Sequence, residues 1–272
     1  MDLNKNIEDF DLVFFDLETT GLNVAKGDSI CEIGALKIRD RKITDKFSSL
    51  VNPKKPIPQE ASSIHKIYDR DVQGAPYFEQ IANKLVKFFQ NSIILAYNIE
   101  FDISFLSYEL NKINSAIPIL PAIDILCMAR KTLRLDRYNL KALCSFFDIE
   151  HTGELHRALA DSFVVSQAFF KLRDILKEGK LENLADFISL YGLNNEIFKL
   201  KEEPKVSLVK EAITKQLYLK ARYFSYRNTM EEEAIKPVDL SQENNNFFLW
   251  CQNKAGKGWR INLNRLLDIK MI

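Results

Sequence analysis

Two carboxylates stand in an apolar segment near the start of the chain. Asp16 and Glu18 belong to residues 14–22, whose apolar character predicts a buried β-strand that ends in the turn-forming residues Thr19, Thr20 and Gly21. Residues i and i+2 of a strand share a face, so the two carboxylates point the same way, roughly 7 Å apart along the chain. Like charges buried together are strongly disfavoured unless a positive charge lies between them. The pair therefore indicates a divalent cation.

Two further acidic residues stand where helices are predicted to begin. Asp102 follows a short apolar strand at residues 92–97, and Asp161 follows His156 by five positions at the start of a long helix. Taken alone, an aspartate at a helix start is an N-terminal cap, and a single histidine is a surface or packed side chain. The order of all these residues along the chain is what suggests shared chemistry.

The elements that must position these residues follow from hydrophobic periodicity. After the first strand, residues 29–39 and 42–51 predict two more strands joined by a tight turn, which together form an antiparallel meander. A proline-rich loop follows, and then helices alternate with the strand at residues 92–97. This order predicts an α/β domain with a mixed sheet flanked by helices. The helices are predicted at residues 78–89, 101–113, 123–131, 139–147 and 157–177.

Composition narrows the class of protein. The chain has 272 residues, of which 46% are hydrophobic and 28% charged, as in an ordinary globular protein. No apolar run approaches the roughly 18 residues of a membrane span, and the N-terminus lacks the order of a signal peptide, so a cytoplasmic protein without a membrane partner is expected. The four cysteines are far apart, which predicts buried thiols rather than zinc ligands or disulfides: Cys31, Cys127, Cys144 and Cys251.

Charge is distributed unevenly although the net charge is only +1. Residues 205–272 hold 12 basic and 7 acidic residues, so the preceding part of the chain is acidic. The sequence between the two parts, rich in charge and interrupted by Gly192 and Pro204, predicts a linker. We therefore predict a domain at residues 1–177, a helical linker at residues 178–204 and a basic domain at residues 205–272.

The acidic residues form ordered motifs that resemble a known family. These are D-x-E at residues 16–18, N-x-x-F-D at 98–102 and H-x-x-x-x-D at 156–161, supported by C-E-I-G-A at 31–35, I-H-K-I at 64–67 and I-D-I-L at 123–126. Over residues 11–170 the chain resembles the DEDDh 3′-5′ exonucleases. This DnaQ-like group includes the proofreading subunit of the bacterial replicative polymerase. The resemblance implies an RNase H-like fold, a five-stranded mixed sheet with the carboxylates converging at its centre.

The resemblance also implies a mechanism. The four carboxylates supply hard oxygen ligands for two Mg²⁺ or Mn²⁺ ions about 4 Å apart, which clamp the attacking and leaving oxygens. His156 is the nearby side-chain type able to take a proton from water near neutral pH. Water then attacks the terminal phosphodiester and a nucleoside 5′-monophosphate leaves. The predicted metal ligands are Asp16, Glu18, Asp102 and Asp161.

Residues that hold the strand end are also implied by the resemblance. For each of them, loop packing or helix capping is the alternative. The chain departs from the common pattern at two positions, with Tyr97 where many relatives have His and Lys66 where His-Gly-Ile is usual. Because neither residue is a metal ligand, activity is expected to survive. The substrate preference of the relatives, however, is harder to carry over to this chain. The predicted substrate-binding residues are Thr19, Leu22, Glu60, His65, Asn98 and Phe101.

The basic C-terminal part resembles a WYL domain, a small Sm-like β-barrel. The matching features include K-E-A-I at residues 210–213, A-R-Y at 221–223, F-F-L at 247–249 and R-I-N-L-N-R-L at 260–266. The resemblance implies binding of nucleic acid or nucleotide-like ligands. Basic residues there suit contact with the nucleic-acid backbone, and aromatic residues suit base stacking. The alternative is that the aromatic residues form the core of the barrel and the basic residues a solvent-exposed face. They are Arg222, Tyr223, Tyr226, Arg227, Trp259, Arg260 and Arg265.

The leading hypothesis is a 3′-5′ exonuclease on single-stranded or frayed DNA 3′ ends, in proofreading, repair or end-trimming. An RNA 3′-5′ exonuclease of the same chemistry stays open, because the catalytic residues do not read the sugar. A catalytically silent nucleic-acid-binding regulator is a third class, and the presence of all four acids and the histidine opposes it. A polymerase or repair complex is the expected partner, although the linker contains no recognisable clamp-binding peptide.

Overall fold

The computed structural model describes residues 2–115, 121–150, 156–193, 196–243 and 246–272. Contacts divide the chain into two compact units, one comprising Asn6–Arg173 and the other comprising Met1–Lys5 with Asp174–Ile272. The residues of the predicted linker therefore lie within the second unit, apart from positions 194–195, which fall outside the described residues. The predicted domain boundaries stay a prediction.

The first unit contains a five-stranded mixed sheet in the order β3-β2-β1-β4-β5. Pairing is antiparallel between β1 and β2 and between β2 and β3, which confirms the predicted meander, and parallel from β1 to β4 and from β4 to β5. The α/β class and the five-stranded mixed sheet are confirmed. The strands are β1 (Asp11–Thr19), β2 (Ile30–Arg39), β3 (Lys42–Leu50), β4 (Ser92–Ala96) and β5 (Ala122–Asp124).

Seven α-helices of this unit lie among its described residues, and two of them pack against β1 from opposite sides. The ring of Phe14 lies 5.4 Å from that of Phe169 on α7, while Phe15 lies 5.3 Å from Phe89 on α3. Because side chains alternate along a strand, the face that carries Phe14 also carries Asp16 and Glu18. The helices are α1 (Gln59–His65), α2 (Asp69–Val72), α3 (Phe78–Phe89), α4 (Ile99–Lys112), α5 (Ile125–Thr132), α6 (Leu140–Phe147) and α7 (Ala158–Glu178).

One helix prediction in this unit was wrong at its beginning. The helix predicted over residues 123–131 starts instead as β5, whose parallel pairing with β4 brings Ala96 opposite Asp124. The strand has three residues and passes directly into α5, with Asp124 as the N-terminal cap. A strand this short leaves no period-2 pattern to recognise.

The described residues of the second unit include the helices α8 and α9 and a five-stranded antiparallel sheet in the order β10-β6-β7-β8-β9. Its core joins Val209 and Ala212 of α9 to Leu219, Ile235 and Leu249 of the sheet. The long strand β7 shifts register between Pro237 and Asp239, which allows it to bend. The elements are α8 (Leu184–Tyr191), α9 (Glu196–Lys215), β6 (Leu219–Phe224), β7 (Met230–Glu243), β8 (Asn246–Gln252), β9 (Gly258–Asn262) and β10 (Leu266–Met271).

Several predicted segments of this unit differ from the observed ones. The apolar spacing of residues 208–219 favours a helix over that range, whereas the observed helix α9 begins at Glu196 and ends at Lys215. The strand β10 was not recognised in the sequence. The cysteines are free thiols, three of them buried and Cys127 partly buried. Among the described residues, no helix combines the length and the apolar character needed to cross a bilayer.

Candidate active site

Asp16 and Glu18 lie near the end of β1, on the face toward α7. In the antiparallel pairing with β2 they stand opposite Gly34 and Glu32, and the register then shifts between Glu18 and Thr19. Such irregularities commonly re-aim side chains beside functional sites. The hydroxyl of Thr19 donates to the carbonyl of Gly21 at 2.6 Å, so the strand ends in a turn.

Asp102 reaches the same strand end from the first turn of α4. It is 2% exposed, and one of its carboxylate oxygens accepts from the backbone N–H of Leu17 at 3.2 Å. The chain enters α4 through Asn98, whose φ of 65° lies in the left-handed region. The carboxylate of Asp124 accepts from the Asn98 N–H at 3.2 Å and also from two N–H groups of α5. Asp124 thus ties together the starts of α4 and α5.

His156 and Asp161 lie at the start of α7. The backbone N–H of His156 donates to both carboxylate oxygens of Asp161, at 3.2 and 3.3 Å. His156 is exposed and has a φ of 73°, a conformation that turns the chain sharply into the helix. Asp161 is buried, and one of its oxygens lies close to those of Asp16 and Glu18 on β1. The exposed histidine therefore stands beside a buried acid.

Three of these carboxylates form a compact oxygen cluster. One oxygen from each of Asp16, Glu18 and Asp161 lies within 4.8 Å of the others. Asp102 adjoins the cluster, since it is the strongest charged influence on Asp16. Carboxylate oxygens at this spacing are the donors that hard divalent cations prefer. The donor set therefore fits one or two such ions, with Asp102 next to them.

Burial and the repulsion between neighbouring carboxylates raise the pKa values of three of the four acidic residues. Burial, followed by Asp161 and Glu32, raises the pKa of Glu18 to about 8, while Arg157 opposes the rise. Burial also raises the pKa of Asp16, with Asp102 as the next cause. The pKa of Asp102 is raised as well, mainly by burial. Each carboxylate would be more stable with a cation nearby, and a bound cation lowers such pKa values.

Two residues that hold this site were not identified as site residues from the sequence. Glu32 is 3% exposed and binds Arg157 and the first N–H of α7. Asp124 caps α5 and holds Asn98, as described above. Glu32 had a detectable signal, since it interrupts an apolar run in β2 as Asp16 and Glu18 interrupt β1.

The predicted substrate-binding residues fall into accessible and inaccessible groups. Leu22 is 85% exposed beyond the end of β1, and Glu60 is exposed on α1. Asn98 is exposed and Phe101 half-buried at the start of α4, whereas Thr19 is buried. A contact of any of these with the terminal nucleotide stays a prediction.

His65 occupies a buried position instead of an open one. It is 2% exposed, and its Nδ1 accepts from the N–H of Ile67 at 3.1 Å. Its Nε2 lies 3.9 Å from the sulfur of Cys31, and the ring also hydrogen-bonds with the backbone of Thr19. Burial lowers the pKa of His65. The neutral ring therefore holds the end of β1 through its hydrogen bond with the backbone of Thr19.

The two departures from the family pattern have structural explanations. Lys66 ends α1 with a φ of 58°, a left-handed conformation in which glycine carries no steric penalty. The hydroxyl of Tyr97 donates to the carbonyl of Tyr138 at 2.6 Å. Tyr97 therefore fastens the loop after α5 to the end of β4.

The second unit has a cavity of about 410 Å³ on its sheet. Six of the seven basic and aromatic residues singled out in the sequence line it, while the seventh, Arg222, binds the buried Asp186 of α8. Nε1 of Trp259 is buried without a hydrogen-bond partner among the described residues. The six lining residues are Tyr223, Tyr226, Arg227, Trp259, Arg260 and Arg265.

Comparison with protein families and with curated proteins agrees with this geometry. The RNase_T family, described as exonuclease, matches residues 13–169. DNA polymerase III subunit epsilon of Rickettsia prowazekii (strain Madrid E) is 34% identical over 187 residues, which cover 64% of this chain and 82% of that protein. DNA polymerase III PolC-type of Thermotoga petrophila is 32% identical over 200 residues, covering 70% of this chain and 14% of that protein.

Solved structures share the fold. Exonuclease X in complex with 5′ overhanging duplex DNA has a TM-score of 0.50 and 24% identity, covering 62% of this chain and 93% of that one. The nuclease domain of 3′hExo, a DEDDh family member bound to rAMP, has a TM-score of 0.53 and 18% identity, covering 62% and 92%. At these identities the likeness concerns the fold alone. The RNase_T match, residues 13–169, lies entirely within the first unit.

Proposed function

Since this chain belongs to the RNase_T family of DnaQ-like 3′-5′ exonucleases, we propose that it trims single-stranded or frayed DNA 3′ ends to nucleoside 5′-monophosphates with the help of Mg²⁺ or Mn²⁺. The observation that carries the proposal is the oxygen cluster of Asp16, Glu18 and Asp161, within 4.8 Å of one another at the end of β1. Clustered buried carboxylates without a metal role would destabilise the fold to no purpose.

Asp16, Glu18, Asp102 and Asp161 would hold the divalent ions. When bound, such ions supply positive charge that polarises the scissile phosphate and favours ionisation of the attacking water. The protein's own part is to fix these oxygens on rigid elements, β1, α4 and α7. In-line displacement then breaks the bond between phosphorus and the 3′ oxygen of the penultimate nucleotide.

His156 is the proposed general base. Its side chain is exposed at the mouth of the site, while its backbone N–H is held by Asp161. A neutral imidazole there can accept the proton of the attacking water. This arrangement couples the position of the base to that of an acidic ligand.

DNA is the proposed substrate because the curated relatives at 34% identity are DNA polymerase III epsilon subunits. The same relationship supports association with a polymerase, and a cytoplasmic role in proofreading, repair or end-trimming. Leu22 and Ile64, both exposed apolar side chains, are available to contact the terminal sugar and base. They stand near the end of β1 and on α1, beside the buried His65.

The test uses matched single-stranded DNA and RNA oligonucleotides labelled at the 5′ end. The expected result is a ladder of labelled DNA shortened from the 3′ end, dependent on Mg²⁺ or Mn²⁺ and abolished by Asp16→Asn. The charge-matched control Asp45→Asn, on exposed β3, should retain activity. Degradation of RNA alone would replace the DNA proposal, and cleavage of circular single-stranded DNA would contradict the exonuclease mechanism.

The second unit is proposed to be an Sm-like, WYL-like barrel that binds the nucleic acid. An antiparallel sheet with β6 between β7 and β10, and a bend in β7, suits a small curled barrel. The cavity combines cations with Tyr226, which is 53% exposed, so it suits phosphate and base together. Tyr226→Ala with Arg227→Gln should weaken DNA binding and flatten its dependence on salt. Unchanged binding would favour a purely structural role.

A further inference from the structure

Glu32 is a buried carboxylate outside the proposed metal ligands. It lies on β2, directly opposite Glu18 in the antiparallel register, and is 3% exposed. A buried carboxylate is costly unless charge and hydrogen bonds compensate it. Because Glu32 lies beside the oxygen cluster, the groups that compensate its charge also bear on the geometry of the site.

Within the described part of the chain, the start of α7 supplies this compensation. Nε of Arg157 lies 3.2 and 3.0 Å from the two oxygens of Glu32, and Nη2 lies 2.7 Å from one of them. The backbone N–H of Ala158 donates to the other oxygen at 3.0 Å. A forked arginine contact and a helix N-terminus are both strong partners for a carboxylate. One side chain of β2 thus holds the first two residues of this turn.

Backbone contact between β2 and α7 fixes the same turn a second time. A Cβ at Gly34 would lie 2.1 Å from the backbone nitrogen of Leu159, so only glycine permits this approach. The hydroxyl of Ser162 donates to the carbonyl of Gly34 at 3.0 Å. The first turn of α7 is therefore seated on β2 with little freedom to slide.

The residues on either side of this anchor are the ones proposed for chemistry. His156 directly precedes Arg157, and Asp161 follows it by one turn, joined to His156 by the hydrogen bonds described above. A shift of this turn would move both together. Displacement of a catalytic group by about 1 Å can cost on the order of 100-fold in rate.

We propose that Glu32 is a positioning residue: by holding the first turn of α7, it fixes His156 and Asp161 opposite β1. Its oxygens are occupied by the arginine fork and the helix N–H, so it does not need to bind metal or substrate itself. Arg157, with a side chain 47% exposed, provides the other half of the pair. The inference rests on the proposed exonuclease function.

The test compares Glu32→Gln, Arg157→Met and the double variant with the wild-type full chain. For each protein, kcat and KM are measured on labelled single-stranded DNA, and Mn²⁺ binding is measured by calorimetry. We expect each single variant to lower kcat about 10- to 100-fold and to weaken Mn²⁺ binding about tenfold, as removal of groups that orient metal ligands does. KM should change less than about threefold, and the double variant should lose about as much as a single one.

Glu79→Gln is the matched control. Glu79 lies on α3, and its substitution breaks the exposed ion pair with Lys54, in which Nζ and Oε1 are 2.6 Å apart. Every measured quantity should stay unchanged. Thermal melting of each variant separates unfolding from displacement of the first turn of α7. The Glu32→Gln variant keeps an oxygen that can accept from the N–H of Ala158.

Two outcomes would overturn the inference. The first is a kcat within about twofold of wild type in folded Glu32→Gln and Arg157→Met. The second is an Arg157→Met variant that raises KM with kcat unchanged, which would make the arginine a substrate contact. A wild-type protein that releases no mononucleotide would instead contradict the proposed function, and reduced Mn²⁺ binding in the variants would still support positioning.

Discussion

Glu18 should make the metal-free protein less stable as the pH rises. Its pKa of about 8 in the folded chain exceeds the ordinary value of 4.5, because burial and the neighbouring carboxylates disfavour the charged form. The folded state therefore holds a proton that the unfolded state releases between these two values. The resulting stability is present below the unfolded pKa and is lost as the pH rises through the folded one. Substitution of Glu18 by Gln should remove this loss.

The size of the effect follows from the interval between the two pKa values. At about 1.4 kcal/mol per pH unit, the interval is worth about 5 kcal/mol as an upper value. We take about half of this free energy, because relaxation of the site reduces the effect. At about 2–4 °C per kcal/mol, Glu18→Gln should therefore raise the melting temperature by roughly 5–10 °C in alkaline solution. Near pH 5, where Glu18 already carries its proton, the variant and the wild type should melt close together.

Thermal melting in EDTA at about pH 5 and about pH 8.5 tests this expectation. Addition of Mn²⁺ at the higher pH should stabilise the wild type by about 2.7 kcal/mol at 100 times its Kd, and the variant much less. Asp45→Asn, an exposed carboxylate on β3, is the control and should leave the curves unchanged. A Glu18→Gln variant that melts at or below the wild-type temperature at the higher pH would refute the reasoning.

Four other substitutions test separate parts of the structure. Asp16→Asn should lower kcat on the order of 1,000-fold, since it removes a ligand worth several kcal/mol of transition-state stabilisation, and labelled-oligonucleotide kinetics measure this. His156→Gln should lower kcat about 100- to 10,000-fold while calorimetry shows unchanged Mn²⁺ binding. Gly34→Ala should cost about 1–3 kcal/mol in urea unfolding, because its Cβ would meet the backbone of α7. Lys66→Gly should stabilise the protein by about 1 kcal/mol in the same assay, because the residue has a φ of 58°; no gain would contradict the strain argument.

The first part of the chain could be predicted well because its signals are local. The apolar run predicts the strand β1, and the i, i+2 spacing of Asp16 and Glu18 within it places both carboxylates on one face. The meander from β1 to β3 follows from short connections. By contrast, β5 has three residues and no turn before α5, so hydrophobic periodicity extended the helix over it.

The convergence of the site could not be derived from spacing alone. Asp16 and Asp161 are far apart in sequence and meet only because α7 packs on the face of β1 that carries Phe14. The family resemblance supplied that pairing. The reasoning that singled out Asp16 could also have singled out Glu32, which interrupts an apolar run in the same way. The partner of Glu32, Arg157, lies 125 positions away and gives no local signal.

His65 shows a role that the family resemblance implies and the structure leaves open. The resemblance implies contact with the terminal nucleotide, while the structure buries the ring and engages both nitrogens. Substrate contact by His65 stays a prediction. Because the ring also hydrogen-bonds with the backbone of Thr19, its structural contribution is best tested through the stability of the turn there.

Selection of the substrate must arise outside the oxygen cluster. In the proposed mechanism the cluster acts on a phosphate that DNA and RNA share, so it would serve both in the same way. Discrimination requires groups that reach the sugar or the base, and the groups proposed for this are the apolar side chains of Leu22 and Ile64, which are 85% and 54% exposed. An apolar contact favours a deoxyribose only weakly, because it leaves the 2′-hydroxyl of RNA without a partner instead of rejecting it by collision. A modest preference for DNA, altered by substitution at Leu22 and not by the control substitution Asp45→Asn, is the pattern this arrangement predicts.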